Sequence, residues 1–350
     1  MGQPGSPGRR VAAIAKWVAG PVMAAAIGLL MATAVATPAA AEGRIRIAEQ
    51  YGLGYLPLHV LRQNQLIEKH GKALGVDVTV EWVQLSGGAA MNDALLSGSI
   101  DLGSAGVGPL LTIWDRTKGN ADVKAIASLN DMPLFLTTSN PKVTTLKDFT
   151  DADKIALPAP KVGVQARVLQ MAAEKELGAG RFDALDKLTV ALPHPDATAA
   201  LLSGSGGITA HLSGPPFQYQ QLDDPKIHRV FSSYDVLGGP HSFNLIWSKQ
   251  SFRDGNPKTY RAFLDALKEA MDYINSNHEG AADAYLAQNK GSLDRAYVLR
   301  LLQDPDIRFT VTPNRTEAFA DFMYKVGAIR NKPASWKDYF FDDLHGETGS

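Results

Sequence analysis

Cysteine is missing from all 350 residues. That absence excludes disulfides, thiolate nucleophiles, iron–sulfur clusters, thiol-ligated zinc and a lipid-modified N-terminal cysteine. An excess of either charge is missing too. Thirty-five basic residues face 36 acidic ones, a net charge of -1, whereas a nucleic-acid binder normally carries a basic surplus. No Gly-x-Ser-x-Gly elbow, phosphate loop, Gly-x-Gly-x-x-Gly turn, His-Glu-x-x-His pair or EF-hand loop occurs. The eight histidines are scattered, with no pair at helical ligand spacing. No catalytic residue, no cofactor and no metal site is therefore expected, and nucleic acid is not an expected partner.

What is present begins with a targeting segment. Arg9, Arg10 and Lys16 are the only charges before Glu42. They precede an apolar stretch over residues 17–35, and Ala39-Ala40-Ala41 supplies an Ala-x-Ala end. A positive start, an apolar middle and a small-residue end are the parts of a secretory signal. The stretch is nearly long enough to span a membrane, but Gly20, Pro21 and Gly28 within it argue for cleavage. Residues 1–41 are thus expected to be a cleaved signal peptide and the protein periplasmic, not a lipoprotein. The remaining chain has 32 basic and 36 acidic residues. Sec and twin-arginine export both stay open.

The rest is too long for one hydrophobic core, so about two domains are expected. Ile45 and Ile47 open a strand, a helix is expected over 58–70, and Val76, Val78, Val80 and Trp82 alternate as a second strand. Ser86-Gly87-Gly88 opens a helix, and a third strand ends at Gly103. This β-α-β-α-β order implies a parallel sheet. A second such run follows: strands at 154–157, 188–192 and 207–212, helices at 165–177, 196–203 with Asp196 as N-cap, and 215–222. Residues 243–247 read as a returning strand. Tyr260, Phe263, Leu264, Leu267, Met271 and Ile274 recur at helical spacing and are expected to pack on the first unit, and Thr312-Pro313 to start another helix. The Pro/Gly punctuation at both seams predicts a discontinuous first lobe over 42–134 and 239–350, with 135–238 as the second.

Small and hydroxyl residues cluster where strands run into helices. In open α/β sheets ligands bind beyond the carboxyl ends of the strands, often at helix N-termini. On the first-lobe side the expected ligand contacts are Tyr51 and Tyr55 as an aromatic wall, with Gly87, Gly88, Ser104 and Gly106 presenting donors. Packing of the tyrosines on the first helix is the alternative. On the second-lobe side they are Gln165, Arg167 and the turn holding Pro215 and Phe217. Arg167 offers a counter-charge or else lies on the surface. His194, His211 and His241 fall at the cleft or hinge, where each either contacts the ligand or satisfies a local backbone group. A charged histidine would make affinity for an anion fall as pH rises from 6 to 8.

These residues also carry a resemblance. Tyr51-Gly52-Leu53-Gly54-Tyr55-Leu56-Pro57-Leu58, Ser86-Gly87-Gly88-Ala89-Ala90, Ala94-Leu95-Leu96-Ser97-Gly98-Ser99-Ile100-Asp101, Thr145-Leu146-Lys147-Asp148-Phe149 and Ser213-Gly214-Pro215-Pro216-Phe217 resemble the nitrate/sulfonate/taurine-type substrate-binding proteins of ABC importers. The resemblance implies a two-lobed type II periplasmic-binding-protein fold with two hinge crossovers. It implies a monomeric receptor that closes on a small-molecule ligand and docks on an ABC permease. Nitrate binders of this kind are expected to set basic side chains against the anion. Here only Lys161 and Arg167 lie near the predicted loops, so an organic, sulfonate- or carboxylate-like anion with an apolar body fits better. A sensor for a membrane kinase and a periplasmic enzyme on the same fold are the competing classes. The related thiamin-precursor enzyme uses a Cys-rich stretch, which this chain lacks, so that activity is not implied.

Overall fold

Two five-stranded sheets organise the chain. The computed structural model describes residues 1–2, 42–289 and 293–350, so residues 3–41 of the expected signal peptide lie outside the described residues. No helix among the described residues is long and apolar enough to cross a membrane.

The chain builds β1 (Arg44–Glu49), β2 (Thr79–Gln84), β3 (Leu102–Gly106) and β4 (Val123–Ser128), then crosses over. It builds β5 (Phe135–Thr138), β6 (Ile155–Leu157), β7 (Thr189–Ala191), β8 (Ala210–Ser213) and β9 (His228–Ser232), then returns as β10 (Asn244–Lys249). The sheet orders are β2-β1-β3-β10-β4 and β7-β6-β8-β5-β9. Purely parallel sheets were expected, and each sheet instead holds one antiparallel member. β10 runs antiparallel to β3 and β4, and β5 antiparallel to β8 and β9. Both are the strands that arrive from the other lobe, not after a helix packed on their own sheet. The result is a two-lobed periplasmic-binding-protein fold, with crossovers at 129–134 and 233–243.

Local chemistry sets the elements. β1 begins with the period of two, Ile45 and Ile47 buried between more exposed arginines. β3, Leu-Gly-Ser-Ala-Gly, is buried at every position, as a central strand covered on both faces must be. The helix expected over 58–70 is two helices, α1 (Leu56–Gln63) and α2 (Leu66–Ala73), because Gln65 takes a left-handed φ of 49°. The helices that follow are α3 (Gly88–Ser97), α4 (Val107–Thr117), α5 (Val164–Leu177), α6 (His194–Ser203) and α7 (Phe217–Leu222). In α6 the N-cap is Pro193, not Asp196, which sits exposed in the first turn.

The helix Pro257–Ser276 places Tyr260, Phe263, Leu267 and Ile274 inward and packs on α1 and α2. Trp247, Phe263, Phe319 and Phe340 are fully buried, each contributing about 1.5–3 kcal/mol by leaving water. The helix expected from Thr312 begins at Thr316, after a left-handed Arg315. It reaches the second lobe: Lys325 Nζ lies 2.7 Å from Glu174 Oε2 on α5.

Candidate functional site

Four helix N-termini meet where the lobes face each other. Gly88 opens α3, Gly106 precedes α4, Gly163 precedes α5 with Gln165 in its first turn, and His194 opens α6. All of these residues line one narrow cleft, which holds about 340 Å³ of space outside atoms, part of it open to solvent. The first N–H groups of a helix have no partner within it, and Ser, Thr, Asp or Asn usually supply one at the N-cap. Here the N-caps are Gly87, Gly106, Gly163 and Pro193, and none gives a side-chain cap. Some helices elsewhere are capped: Asn277 accepts from Gly280 N–H at 3.0 Å and Asp294 from Tyr297 N–H at 2.7 Å. Others lack a side-chain cap too, α1, α2 and α7 among them, and what sets these four apart is that they meet at one cleft.

Side chains complete the walls. Tyr55 is buried, and its hydroxyl accepts from Asn244 Nδ2 at 3.0 Å. Burial pushes this phenol well above its ordinary range, so it stays protonated. It both packs and lines the cleft. Tyr51 is 37% exposed and lines both the cleft and an outer groove shared with Leu202 and Phe217. No lysine or arginine is among the lining residues of the cleft.

The lobes touch here. Leu53 N–H donates to Pro215 O at 2.9 Å, tying the Tyr51–Tyr55 turn to the second lobe. A Cβ on Gly87 would lie 3.2 Å from Pro158 O, and one on Gly108 would lie 2.8 Å from Val162 O. Asn92 Nδ2 donates to Pro109 O at 2.9 Å, fastening the start of α4 to α3.

Two histidines stand in line behind Gln165. Gln165 Nε2 is 3.1 Å from His194 Nε2, His194 Nδ1 is 2.8 Å from His211 Nε2, and His211 Nδ1 is 2.7 Å from Gln221 Nε2. Loss of water drives both imidazoles far below their ordinary pKa, to about 3 for His194. They are neutral at physiological pH, so the expectation of a charged histidine on the ligand is corrected. Phe217 stacks on His194 at 5.3 Å between ring centroids.

Residues 46–288 match the NMT1-like family. The chain belongs to that family. No curated protein matches it by sequence. Among solved structures, the alkanesulfonate-binding protein SsuA from Xanthomonas axonopodis pv. citri bound to MOPS is similar, with a TM-score of 0.64 at 19% identity over 83% of this chain and 95% of that one. The periplasmic aliphatic sulphonate binding protein SsuA from Escherichia coli gives 0.61 at 19% over 87% and 99%. The periplasmic nitrate-binding protein NrtA from Synechocystis PCC 6803 gives 0.66 at 16% over 87% and 86%.

In this NMT1-like chain the sequence-predicted residues sort by place. Tyr51, Tyr55, Gly88, Gly106, Gln165 and His194 line the cleft, and His211 backs it. Gly87 sits at the rim, and Phe217 faces the groove. Pro215 acts through its carbonyl. Ser104 is turned away, its hydroxyl donating to Ala48 O at 2.5 Å. Arg167 lies buried beside the cleft, neither on the surface nor in the lining; its Nη1 donates to Gln170 Oε1 at 2.8 Å. His241 belongs to the hinge, with Nδ1–H donating to Ser242 O at 2.9 Å and Nε2 2.7 Å from Ser233 Oγ. Sequence reasoning missed Phe243 and Asn244 in the lining, although Asn244 begins the returning strand and Phe243 ends the second crossover.

Proposed function

We propose that this chain is the solute receptor of an ABC importer, working in the periplasm and holding a small organic anion, sulfonate- or carboxylate-like, between its lobes. One observation carries the reading: four uncapped helix N-termini, two from each lobe, converge on a single cleft. Each terminus favours an anion by roughly 0.3–1 kcal/mol, so four contribute on the order of 1–4 kcal/mol before any hydrogen bond is counted. A cleft without lysine or arginine suits a diffuse organic anion whose body adds apolar contact, along Tyr51 toward Leu202 and Phe217. The similar proteins, named for alkanesulfonate and nitrate binding, support the class. A membrane permease is the proposed partner, the receptor acts as a monomer, and no cofactor takes part.

Native mass spectrometry of the purified protein, followed by thermal-shift titration, tests this. Methanesulfonate, longer alkanesulfonates, acetate, nitrate and methylammonium form the panel. A true ligand at about 100 times its Kd adds roughly 2.7 kcal/mol of stability. Stabilisation by organic anions is expected; stabilisation by methylammonium alone, or by no anion in the panel, rejects the reading.

A further inference from the structure

Gln165 is the visible end of a hydrogen-bonded line that runs through the second lobe. Thr137 Oγ1–H donates to Gln221 Oε1 at 2.6 Å. Gln221 Nε2 donates to Thr198 Oγ1 at 2.8 Å and stands 2.7 Å from His211 Nδ1. His211 then meets His194, and His194 meets Gln165. Thr137, Gln221 and His211 are fully buried, and Gln165, Thr198 and His194 are at most 7% exposed. No member of the line is an acid, a lysine or an arginine.

A neutral imidazole has one N–H and one bare nitrogen, so it donates on one side and accepts on the other. One proton lies between His194 Nδ1 and His211 Nε2, and this couples the rings: both carry it on Nε2, or both carry it on Nδ1. A carboxamide is polar in the same way, oxygen on one side and NH₂ on the other. The line therefore has two self-consistent senses. In the first, Thr137 donates to Gln221, Gln221 to His211, His211 to His194, and His194 Nε2–H to Gln165 Oε1. The NH₂ of Gln165 then faces the cleft as a donor. In the second every bond reverses, and the Gln165 oxygen faces the cleft.

The inner half is set in the first sense. Thr137 has one hydroxyl proton, and of its two acceptors Gln221 Oε1 at 2.6 Å is nearer than His211 O at 3.1 Å, while Thr198 Oγ1 accepts from Gln221 Nε2. Gln165 stands in the second, its Nε2 toward His194. Among the described residues its amide has that one hydrogen-bond partner. Turning Gln165 about its terminal bond is thus the smaller change, and the helix N-termini around it favour an acceptor in the cleft.

We infer that Gln221, His211 and His194 form a neutral relay that fixes Gln165 as a donor, so that the site takes an oxygen acceptor of an anionic group and rejects donors such as ammonium. This rests on the proposed anion-binding function and adds the positioning residues that set its polarity. An unpaired buried donor or acceptor is expensive, so a ligand of the wrong polarity must reverse the whole line.

Long-range ¹H–¹⁵N spectra of the histidines test the relay without any ligand. Gln165→Glu puts an acceptor at the outer end, and both rings should carry the proton on Nε2. Gln221→Glu puts one at the inner end, and both rings should switch to Nδ1–H, including His194, which Gln221 does not touch. A change confined to the adjacent ring, or a doubly protonated ring at pH 7, overturns the relay. If either variant fails to fold, the wild-type protein decides: two rings with different tautomers overturn it. Methanesulfonate then reports the chemistry. It should hold both wild-type rings as Nε2–H, and Gln221→Glu should weaken it at least tenfold. A relay that behaves while methanesulfonate does not bind would sink the anion reading and leave the coupling standing.

Discussion

Gly106 and Val164 face each other across the two lobes, so close that a Cβ on Gly106 would lie 2.3 Å from Val164 Cγ1. The backbone at Gly106 is ordinary, φ -76°, so the side chain is excluded chiefly by Val164 of the opposite lobe, with Phe243 O also close at 3.2 Å. Closure therefore depends on an absent methyl group. Gly106→Ala is expected to hold the lobes apart and weaken ligand binding at least tenfold. Small-angle scattering should show a larger radius of gyration; unchanged affinity and radius would refute the closure argument.

Gly88 differs. A Cβ there would lie 2.1 Å from Pro109 Cγ, within the same lobe. Gly88→Ala should therefore cost about 1–3 kcal/mol of stability as overpacking, with binding lost as α3 shifts from α4. Urea denaturation against wild type measures it, and a midpoint equal to wild type is the contrary result.

Ligand affinity should be flat between pH 6 and 8. His194 and His211 are neutral across that range because burial holds their pKa far below it, and the cleft lining holds no lysine or arginine. Calorimetric titration at pH 6, 7 and 8 is the check. A tenfold fall with rising pH would restore the charged-histidine account.

Stability, by contrast, should fall with acid. His59 and His194 are lowered to about 3, His241 to about 4 and His211 well below its ordinary value, each chiefly by desolvation. A lowered histidine contributes stability that is complete above the unfolded value of about 6.5 and is lost as pH falls toward the folded value. Asp131 works in reverse, raised to about 6 by burial. Its contribution is complete below about 4 and lost as pH rises through 6. Burial raises Glu49 and Asp186 in the same direction as Asp131, so the four histidines set the sign, a net uptake of protons on unfolding near pH 5. Urea midpoints from pH 7 to 4.5 give that slope, and a flat profile would contradict it.

Much of the fold is legible in the sequence, and the failures have causes. The alternation at Ile45 and Ile47 marked β1, and the stripe from Tyr260 to Ile274 marked its helix, because each is half-buried with a regular period. β4 and β5 are buried at nearly every position and carry no alternation to read. Gly88, Gly106, Gln165 and His194 were found because they sit where strand turns to helix. Arg167 has the same address but turns to Gln170 on its own helix and stays out of the lining, and sequence position does not tell which way a side chain points. The meeting of His211 with Gln221 joins a strand to a helix through tertiary packing, which no local pattern encodes.

The four open helix ends are shared evenly, α3 and α4 in one lobe, α5 and α6 in the other. Pulling the lobes apart takes half of the attraction away in a single motion. For a receptor of the proposed kind, grip and shape are then one variable. A permease that pries the lobes open needs no competing ion and no change of acidity to release the cargo. The work of unloading is mechanical, done against the seam between the lobes rather than against a bound charge.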